Sequence, residues 1–191
     1  MHQFKAGLVL LLTIMLLPTA ALADDYAQTL KTFKENPLVE SFFKNSYGYA
    51  VFPTIGKGGI GIGGAHGKGQ VYAGDKLTGK TSMTQITIGF QLGGQAYSQM
   101  IFFQDKRAYD EFTSGNFEFG AQASAVAITA GAQAQASTGG SSASANTGYK
   151  DAGAQQAGYQ KGMAVFTLAK GGLMYEASIG GQKFSFEPIG K

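Results

Sequence analysis

YGYAVFPTIGKGGIGIGGAHGKGQVY, from Tyr47 to Tyr72, is the stretch that decides the fold. Its aromatic and β-branched start predicts a strand that ends at Pro53. Gly then occupies nearly every second position, and Ile60 and Ile62 are the large apolar residues of that run. Because Gly has no Cβ, backbone there can lie against other backbone, or against another molecule, more closely than side chains permit. The four residues 66–69 (HGKG) predict a turn within the run.

Strands dominate the pattern after this stretch. Residues 75–79 predict a hairpin turn, and Ile86, Ile88, Phe90 and Leu92 then alternate with polar residues or Gly, as in a half-buried strand. The next strand, residues 95–103, is mixed enough in sequence to be buried on both faces. Further alternation predicts strands over 117–125, 163–169, 173–179 and 183–186, with turns at 170–172 and 180–181.

Helices are predicted at three places. Tyr26, Leu30 and Phe33 follow helical spacing, and Asn36-Pro37 is typical of a helix start. Residues 105–114 predict a short helix capped by Asp105. The apolar stripe of the second helix, which contains Leu38, Val39, Phe42 and Phe43, is compatible with a bilayer contact and with packing on the core.

The segment 130–157 breaks the pattern, because it consists of Ala, Gly, Ser, Gln and Thr with few other residues. Within it, residues 137–146 predict a flexible loop or a hairpin tip. Many strands with two or three short helices predict an α+β fold in a single domain. We expect its antiparallel sheet to be curled, as in a partial β-barrel.

The first 23 residues have the pattern of a signal peptide. Lys5 precedes an apolar run over residues 6–17, which is shorter than the roughly 20 residues that span a bilayer. Pro18 ends the run, and Ala21 and Ala23 are the small residues of a cleavage site before Asp24. We therefore predict a signal peptide over 1–23, a domain over 24–191, and export to the periplasm or the medium without a transmembrane helix.

Composition excludes several classes of protein. The chain has no Cys, which rules out disulfides, thiolate zinc sites, Cys nucleophiles and a bacterial lipoprotein anchor. Its net charge of +3 falls to +2 (14 basic and 12 acidic residues) when Lys5 is removed with the leader. That balance, with Arg107 as the only arginine, argues against nucleic acid as a partner.

Two phosphate-binding patterns also occur, at residues 74–81 (GDKLTGKT) and 59–64 (GIGIGG). Both need a helix directly after the loop to direct amides at a phosphate, and the sequence predicts none there, so we expect no nucleotide. His66 is the one His after the leader, and no pair of carboxylates is suited to acid–base chemistry. The sequence therefore predicts no catalytic residues, no metal site, no cofactor and no enzyme activity.

The chain resembles the SYLF domain family over nearly all of residues 24–191. The blocks that carry the resemblance are, in order, 49–53 (YAVFP), 57–59 (KGG), 61–69 (GIGGAHGKG), 88–95 (IGFQLGGQ), 101–103 (IFF), 117–121 (FEFGA) and 161–166 (KGMAVF). The resemblance implies lipid or phosphoinositide binding and, in eukaryotic members, association with actin. The chain departs from the family at Thr81-Ser82, where members often have Trp-Ser, and at residues 130–133, where a Gly-Pro-x-Gly segment is common.

A lipid-binding site follows as a hypothesis. Lys57, Lys68, Lys76 and Lys80 are expected on consecutive turns at one end of the strands, where they would attract anionic headgroups. Phe42 and Phe43 would add the apolar contact. We expect an exported, non-enzymatic protein that binds anionic phospholipid. The alternatives are an envelope assembly protein that acts through protein contacts or self-association, and a hydrolase, which would need a cleft with perturbed carboxylates.

Overall fold

A computed structural model describes residues 19–89, 94–128, 158–170 and 179–190. These residues form three helices, α1 (Thr19–Lys34), α2 (Pro37–Asn45) and α3 (Lys106–Phe112). The Asn36 side chain accepts a hydrogen bond from the Leu38 amide at 3.0 Å and begins α2. Asp105 does the same for α3, accepting from the Ala108 amide at 2.9 Å. Both predicted helix starts are confirmed.

The predicted leader lies largely outside the described residues, including its apolar run over 6–17. Helix α1 begins at Thr19, so the predicted cleavage before Asp24 falls within this helix. Cleavage and export stay predictions. None of the helices that the described residues form is both long and apolar enough to cross a bilayer.

Seven strands of the described residues form one curled sheet. They are β1 (Gly48–Ala73), β2 (Lys76–Gly89), β3 (Gln95–Phe103), β4 (Phe117–Glu118), β5 (Val126–Ile128), β6 (Met163–Lys170) and β7 (Lys183–Pro188). Their order across the sheet is β4-β7-β2-β1-β3-β6-β5, and every pair is antiparallel except β5 with β6. The fold is an α+β half-barrel, which confirms the predicted class.

Strand β1 determines the shape of this half-barrel. It is 26 residues long, and residues 48–57 pair with β3 whereas residues 61–73 pair with β2. The chain folds back between these halves at Gly59, whose φ is +149°. A Cβ on Gly59 would collide with the backbone of Gly63, so the bend requires Gly.

The two halves of β1 then stack on each other along their length. A Cβ on Gly67 would lie 2.6 Å from Ile55 Cγ1, and a Cβ on Gly69 would lie 2.7 Å from the Phe52 ring. At the open end the Gly74 amide donates to the Tyr47 carbonyl at 2.9 Å. The sequence left open whether these glycines admit backbone or another molecule. The described contacts show that they admit the chain itself.

Two apolar cores lie on opposite faces of the sheet. The inner core fills the half-barrel and includes residues of α3; the outer core lies between the sheet and helices α1 and α2. Large fully buried members of the inner core include Phe52, Ile55, Met83, Ile101, Phe103 and Phe112. Members of the outer core include Phe33, Val39, Val51, Met100, Phe102 and Phe166. Strand β3 contributes to both cores, as its mixed sequence predicted.

In the Gly-rich stretch, the predicted strand end at Pro53 and the predicted turn at residues 66–69 are wrong. β1 does not end at Pro53 but passes through it at an irregularity between Phe52 and Ile55, where the missing amide of Pro interrupts no regular pairing. His66–Gly69 is not a turn, since His66 pairs with Thr84 and Gly69 with Thr81 in the ladder to β2. A hairpin is present as predicted, but its turn consists of Gly74 and Asp75, and the predicted turn residues 76–79 belong to β2.

The predicted burial of β2 is wrong at Gln85 and Ile86, whereas Phe90 and Leu92 of the same predicted strand lie outside the described residues. Ile86 is 82% exposed, whereas Gln85 is buried and its amide donates to the Gly180 carbonyl at 2.8 Å. A buried amide with a partner costs little, so the period of two identified the strand but not its inner face. The predicted strand over 117–125 is only Phe117–Glu118, followed by a bent segment. Residues 130–157 and the predicted strand over 173–179, except Ile179, lie outside the described residues.

Candidate functional site

Among the described residues, one stretch of the sheet is open to solvent on the side away from the inner core, and we call it the outer face. It is formed by alternate residues of the second half of β1, of β2 and of β7, all exposed or half-exposed. Its members are Ile62, Gly64, His66 and Lys68 of β1, Lys80, Ser82, Thr84 and Ile86 of β2, and Lys183, Ser185 and Glu187 of β7.

Pairing across the three strands gathers cations at the middle of the outer face. Lys68 lies opposite Ser82 and Lys80 lies two residues along the same strand, so the two lysines are diagonal neighbours about 7–8 Å apart at Cα. Thr84 lies between His66 on one side and Lys183 on the other. Between Lys68 and Lys183, the hydroxyls of Ser82 and Ser185 form a hydrogen bond of 2.7 Å with each other.

Two carboxylates offset part of this positive charge. Lys183 forms an exposed ion pair with Glu118 at 3.5 Å, and Glu187 lies opposite Lys80 in the ladder. Within the described part of the chain, no ion pair joins Lys68 or Lys80 to a carboxylate. Three lysines against two carboxylates leave the outer face polar with a small excess of positive charge, centred on Lys68 and Lys80, which favours anionic groups.

The structure separates the four lysines that the sequence grouped. Lys68 and Lys80 are neighbours on the outer face, whereas Lys76 lies beside the hairpin turn and Lys57 lies near the fold-back of β1. Residues 61 and 73 are the two ends of the ribbon that β1 and β2 form. Twelve residues of extended strand separate them, which corresponds to about 40 Å. The expectation of four consecutive turns is wrong, because Lys57, Lys68 and Lys80 lie within strands.

Phe42 and Phe43 lie between α2 and the sheet. The Phe42 ring is buried, 4.9 Å from the Phe166 ring and 5.7 Å from the Phe102 ring, measured between centroids. Phe43 packs edge-on against Phe102 at 4.9 Å, and the Lys34 ammonium lies 5.3 Å from its ring centre. These contacts correspond to the packing alternative for the apolar stripe, and in this conformation neither ring lies on the outer face.

A recess on the other side of the sheet is a second candidate site. It has a volume of about 280 Å³, and its apolar wall includes Phe117, Phe119 and Met163. Two carboxylates, Glu111 and Glu118, line it as well, but they pair with Arg107 at 3.3 Å and with Lys183 at 3.5 Å. Gln122, Gln160 and Lys161 line the recess as well, so its lining is mixed and its apolar wall is the part suited to an acyl chain.

A polar cluster is buried inside the half-barrel. The Gln99 amide nitrogen donates to Gln182 Oε1 at 2.9 Å, and Gln182 Nε2 donates to the Tyr97 hydroxyl at 3.2 Å. Burial raises the pKa of Tyr97 to about 12, and the hydrogen bond from Gln182 offsets only part of that effect. These groups satisfy one another, so the cluster joins β3 to the segment before β7 and offers no reactive side chain. In the described residues no three His, Asp or Glu side chains come together as metal ligands.

Sequence reasoning missed Lys183 and the two exposed isoleucines. Lys183 belongs to the outer face because β7 pairs with β2, about 100 residues earlier in the chain, and no local pattern reports such a pairing. The alternation of β2 predicted that Ile86 is buried, and no prediction was made for the burial of Ile62; the Gly-rich sequence of the partner strand was the available signal that this face lacks large side chains. Their exposure is a property of the assembled sheet.

The comparisons with known proteins agree on one family. The model of the Ysc84 family, described as "Las17-binding protein actin regulator", matches residues 84–187, just over half of the chain. A curated relative, beta cell expansion factor A from Aeromonas veronii, is 30% identical over 158 residues, which cover 81% of this chain and 51% of that protein. The chain spans about half the length of this relative. The matched range includes Thr84, Ile86 and Lys183 but not Lys68 or Lys80.

Proposed function

The chain belongs to the Ysc84 family, which is the SYLF family that its sequence resembles, and we propose that it is an exported, non-enzymatic protein that binds membranes containing anionic phospholipid. The outer face is the proposed contact. The observation that carries the proposal is the convergence of Lys68, Lys80 and Lys183, from three strands, on one open surface. Each Lys near an anionic membrane surface contributes about 1 kcal/mol to binding.

The proposed site differs from the one that the sequence suggested. It keeps Lys68 and Lys80, adds Lys183, and leaves Lys57 and Lys76 at the two ends of the ribbon. Phe42 and Phe43 stay outside it, since a bilayer contact through these rings would require α2 to leave the sheet. Polar side chains such as Ser82 and Thr84 between the lysines are able to donate hydrogen bonds to phosphate oxygens.

The alternative function is binding to a protein partner, or self-association, through the outer face. The family description names Las17 and actin regulation, and a bacterial envelope contains no actin, so the partner would be a different protein. The open sheet face and its charge support lipid first. If lipid binds in the recess instead, its binding will not depend on the lysines of the outer face.

Cosedimentation with vesicles tests the proposal. The purified protein is mixed with vesicles of neutral phosphatidylcholine, or with vesicles that also contain anionic phosphatidylglycerol, at low and at high salt. Three lysines of the outer face are changed in one variant, Lys68→Gln, Lys80→Gln and Lys183→Gln. The matched control removes the same charge from the helices, through Lys31→Gln, Lys34→Gln and Lys44→Gln.

We expect salt-sensitive binding to the anionic vesicles, about 100-fold weaker in the outer-face variant and much less affected in the helix variant. A larger loss in the helix variant would assign binding to α1 and α2. If binding is unchanged by salt and by both variants, the lipid-binding site is the recess and not the outer face. The absence of binding to either vesicle would contradict the proposal and favour a protein partner.

A further inference from the structure

Two isoleucines stand exposed at one end of the outer face. Ile62 is 73% exposed and Ile86 is 82% exposed, which makes them the most exposed large apolar side chains among the described residues. Gly64 lies opposite Ile86 in the ladder and has no side chain with which to shield it. Exposing two neighbouring β-branched side chains to water is unfavourable, so this end of the sheet is suited to an apolar environment.

Ile86 lies beyond the last described pair of β7 with β2, and Ile62 lies next to it on β1. The last pair of β7 with β2 is Lys183 with Thr84, so residues 85–89 of β2 extend beyond β7 by roughly 16 Å. Along that extension β2 remains paired with β1, up to Gly89 opposite Gly61. Within the described residues, the outer face at this end is therefore two strands wide, and we call its exposed pair, Ile62 and Ile86, the ribbon tip.

The charges around the ribbon tip identify what it contacts. His66 and Lys183 flank Thr84, two residues from Ile86, and Lys68 and Lys80 follow on the same face. On β1 and β2 the one acidic residue is Asp75, at the hairpin turn far from the isoleucines; the other carboxylates at this face are Glu187, opposite Lys80, and Glu118, which pairs with Lys183. An apolar end followed by cations matches a bilayer with an anionic headgroup layer. A second copy of this chain fits less well, because a symmetric contact would bring two cationic faces together.

We propose that the ribbon tip inserts Ile62 and Ile86 among the acyl chains of an anionic bilayer, while His66, Lys68, Lys80 and Lys183 lie at the level of the headgroups. This inference rests on the proposed membrane-binding function and assigns it an apolar anchor. It also gives the bound protein an orientation, with the ribbon tip down and the helix-covered side away from the membrane.

The chain offers a clean way to test insertion, because it contains no Trp. Single-Trp variants Ile62→Trp and Ile86→Trp each place one fluorophore at the ribbon tip. Leu38→Trp is the matched control, since Leu38 is an apolar residue that is 41% exposed on α2, on the covered side. Emission is recorded with and without anionic vesicles, and with vesicles whose acyl chains carry bromine as a depth-dependent quencher. Cosedimentation of each variant, and of Ile62→Ser with Ile86→Ser, is measured in parallel.

Insertion predicts a blue shift and strong bromine quenching at Ile62→Trp and Ile86→Trp, with neither change at Leu38→Trp. Each of the two Ile→Ser substitutions, made singly and together, is expected to weaken vesicle binding about tenfold. Vesicle binding with no spectral change at the ribbon tip would overturn insertion and leave surface binding intact. If no variant binds vesicles, both this inference and the proposed function are wrong. A concentration-dependent dimer in sedimentation that Ile86→Ser dissociates, without any spectral change on adding vesicles, would replace the bilayer with a second copy.

Discussion

The two halves of β1 differ in how much of their surface is buried. Residues 48–57 lie in the covered half of the sheet, where Tyr49 and Val51 pack under the helices and Phe52 packs inside the half-barrel. Residues 61–73 bury only alternate positions, and the others, such as His66 and Lys68, face solvent. The covered half is built from large side chains and the open half from Gly and polar residues. Stability therefore depends most on the first half, and the proposed function on the second.

Glycine connects these halves, because it acts on the inner side of the open half. Gly67 and Gly69 are buried against Ile55 and Phe52 of the covered half. Because these glycines have no side chains, the large side chains of residues 48–57 pack directly against the backbone of residues 61–73. Gly on the inner side of the open half is thus what lets the two halves of β1 stack closely. Substitutions on the two sides of the open half should have very different effects on folding.

Removing the cover from the first half is expected to have the largest effect. Phe42→Ala leaves a cavity among Phe102, Tyr159 and Phe166, and we expect a loss of about 4 kcal/mol in the free energy of unfolding by urea. The matched control, Leu38→Ala on the same helix, should cost less than about 1 kcal/mol, because Leu38 is largely exposed. If Phe42→Ala instead weakened vesicle binding and left unfolding unchanged, Phe42 would be a lipid contact, as the sequence suggested.

Opening the contact between the halves is the next test. A Cβ at Gly48 would collide with the Tyr72 carbonyl oxygen, so Gly48→Ala forces the start of β1 away from its end. We expect a loss of about 2–3 kcal/mol in unfolding free energy, as for an overpacked core. Gly56→Ala is the control, since its Cβ would meet nothing within 4 Å, and its effect should stay within about 0.5 kcal/mol. Equal effects of the two variants would mean that the stacked halves separate easily.

The elements of this fold were largely predictable from local sequence. The starts of α2 and α3 follow from Asn36 and Asp105, whose side chains satisfy amides that a helix leaves free. The strand over residues 95–103 follows from its mixed apolar sequence, and the hairpin at Asp75 from its turn residues. Each of these signals depends on residues close together in the chain, so one sequence was enough.

The assembly was not predictable in the same way. Periodicity places Ile86 and Gln85 on opposite faces but does not say which face is inside, and a hydrogen bond to Gly180, 95 residues away, makes Gln85 the buried one. The fold-back at Gly59 depends on contacts between the halves, which the Gly-rich pattern allows without specifying. The cationic outer face needed β7 beside β2, so the sequence named Lys68 and Lys80 but missed Lys183.

The polar cluster between the two parts of the sheet gives the smallest and most specific test. Tyr97 belongs to covered β3, and Gln182 precedes β7 of the open part, so their hydrogen bond links the two regions. Tyr97→Phe should cost about 1 kcal/mol at neutral pH, because it removes that bond but leaves the ring.

The pH dependence separates this link from ordinary packing. The pKa of Tyr97 is raised from 10.0 to about 12 by burial, so the folded state keeps a proton that the unfolded state loses first. The stability that this group contributes is complete below pH 10 and declines as the pH rises to about 12, by about 2–3 kcal/mol in all. Burial also raises the pKa of Tyr49 to about 12, which adds the same decline to both proteins. Urea unfolding measured from pH 9 upward should therefore show the wild type losing stability faster than Tyr97→Phe. Parallel curves would mean that the Tyr97 hydroxyl reaches water, and that the covered and open parts of the sheet are joined less tightly than the cluster indicates.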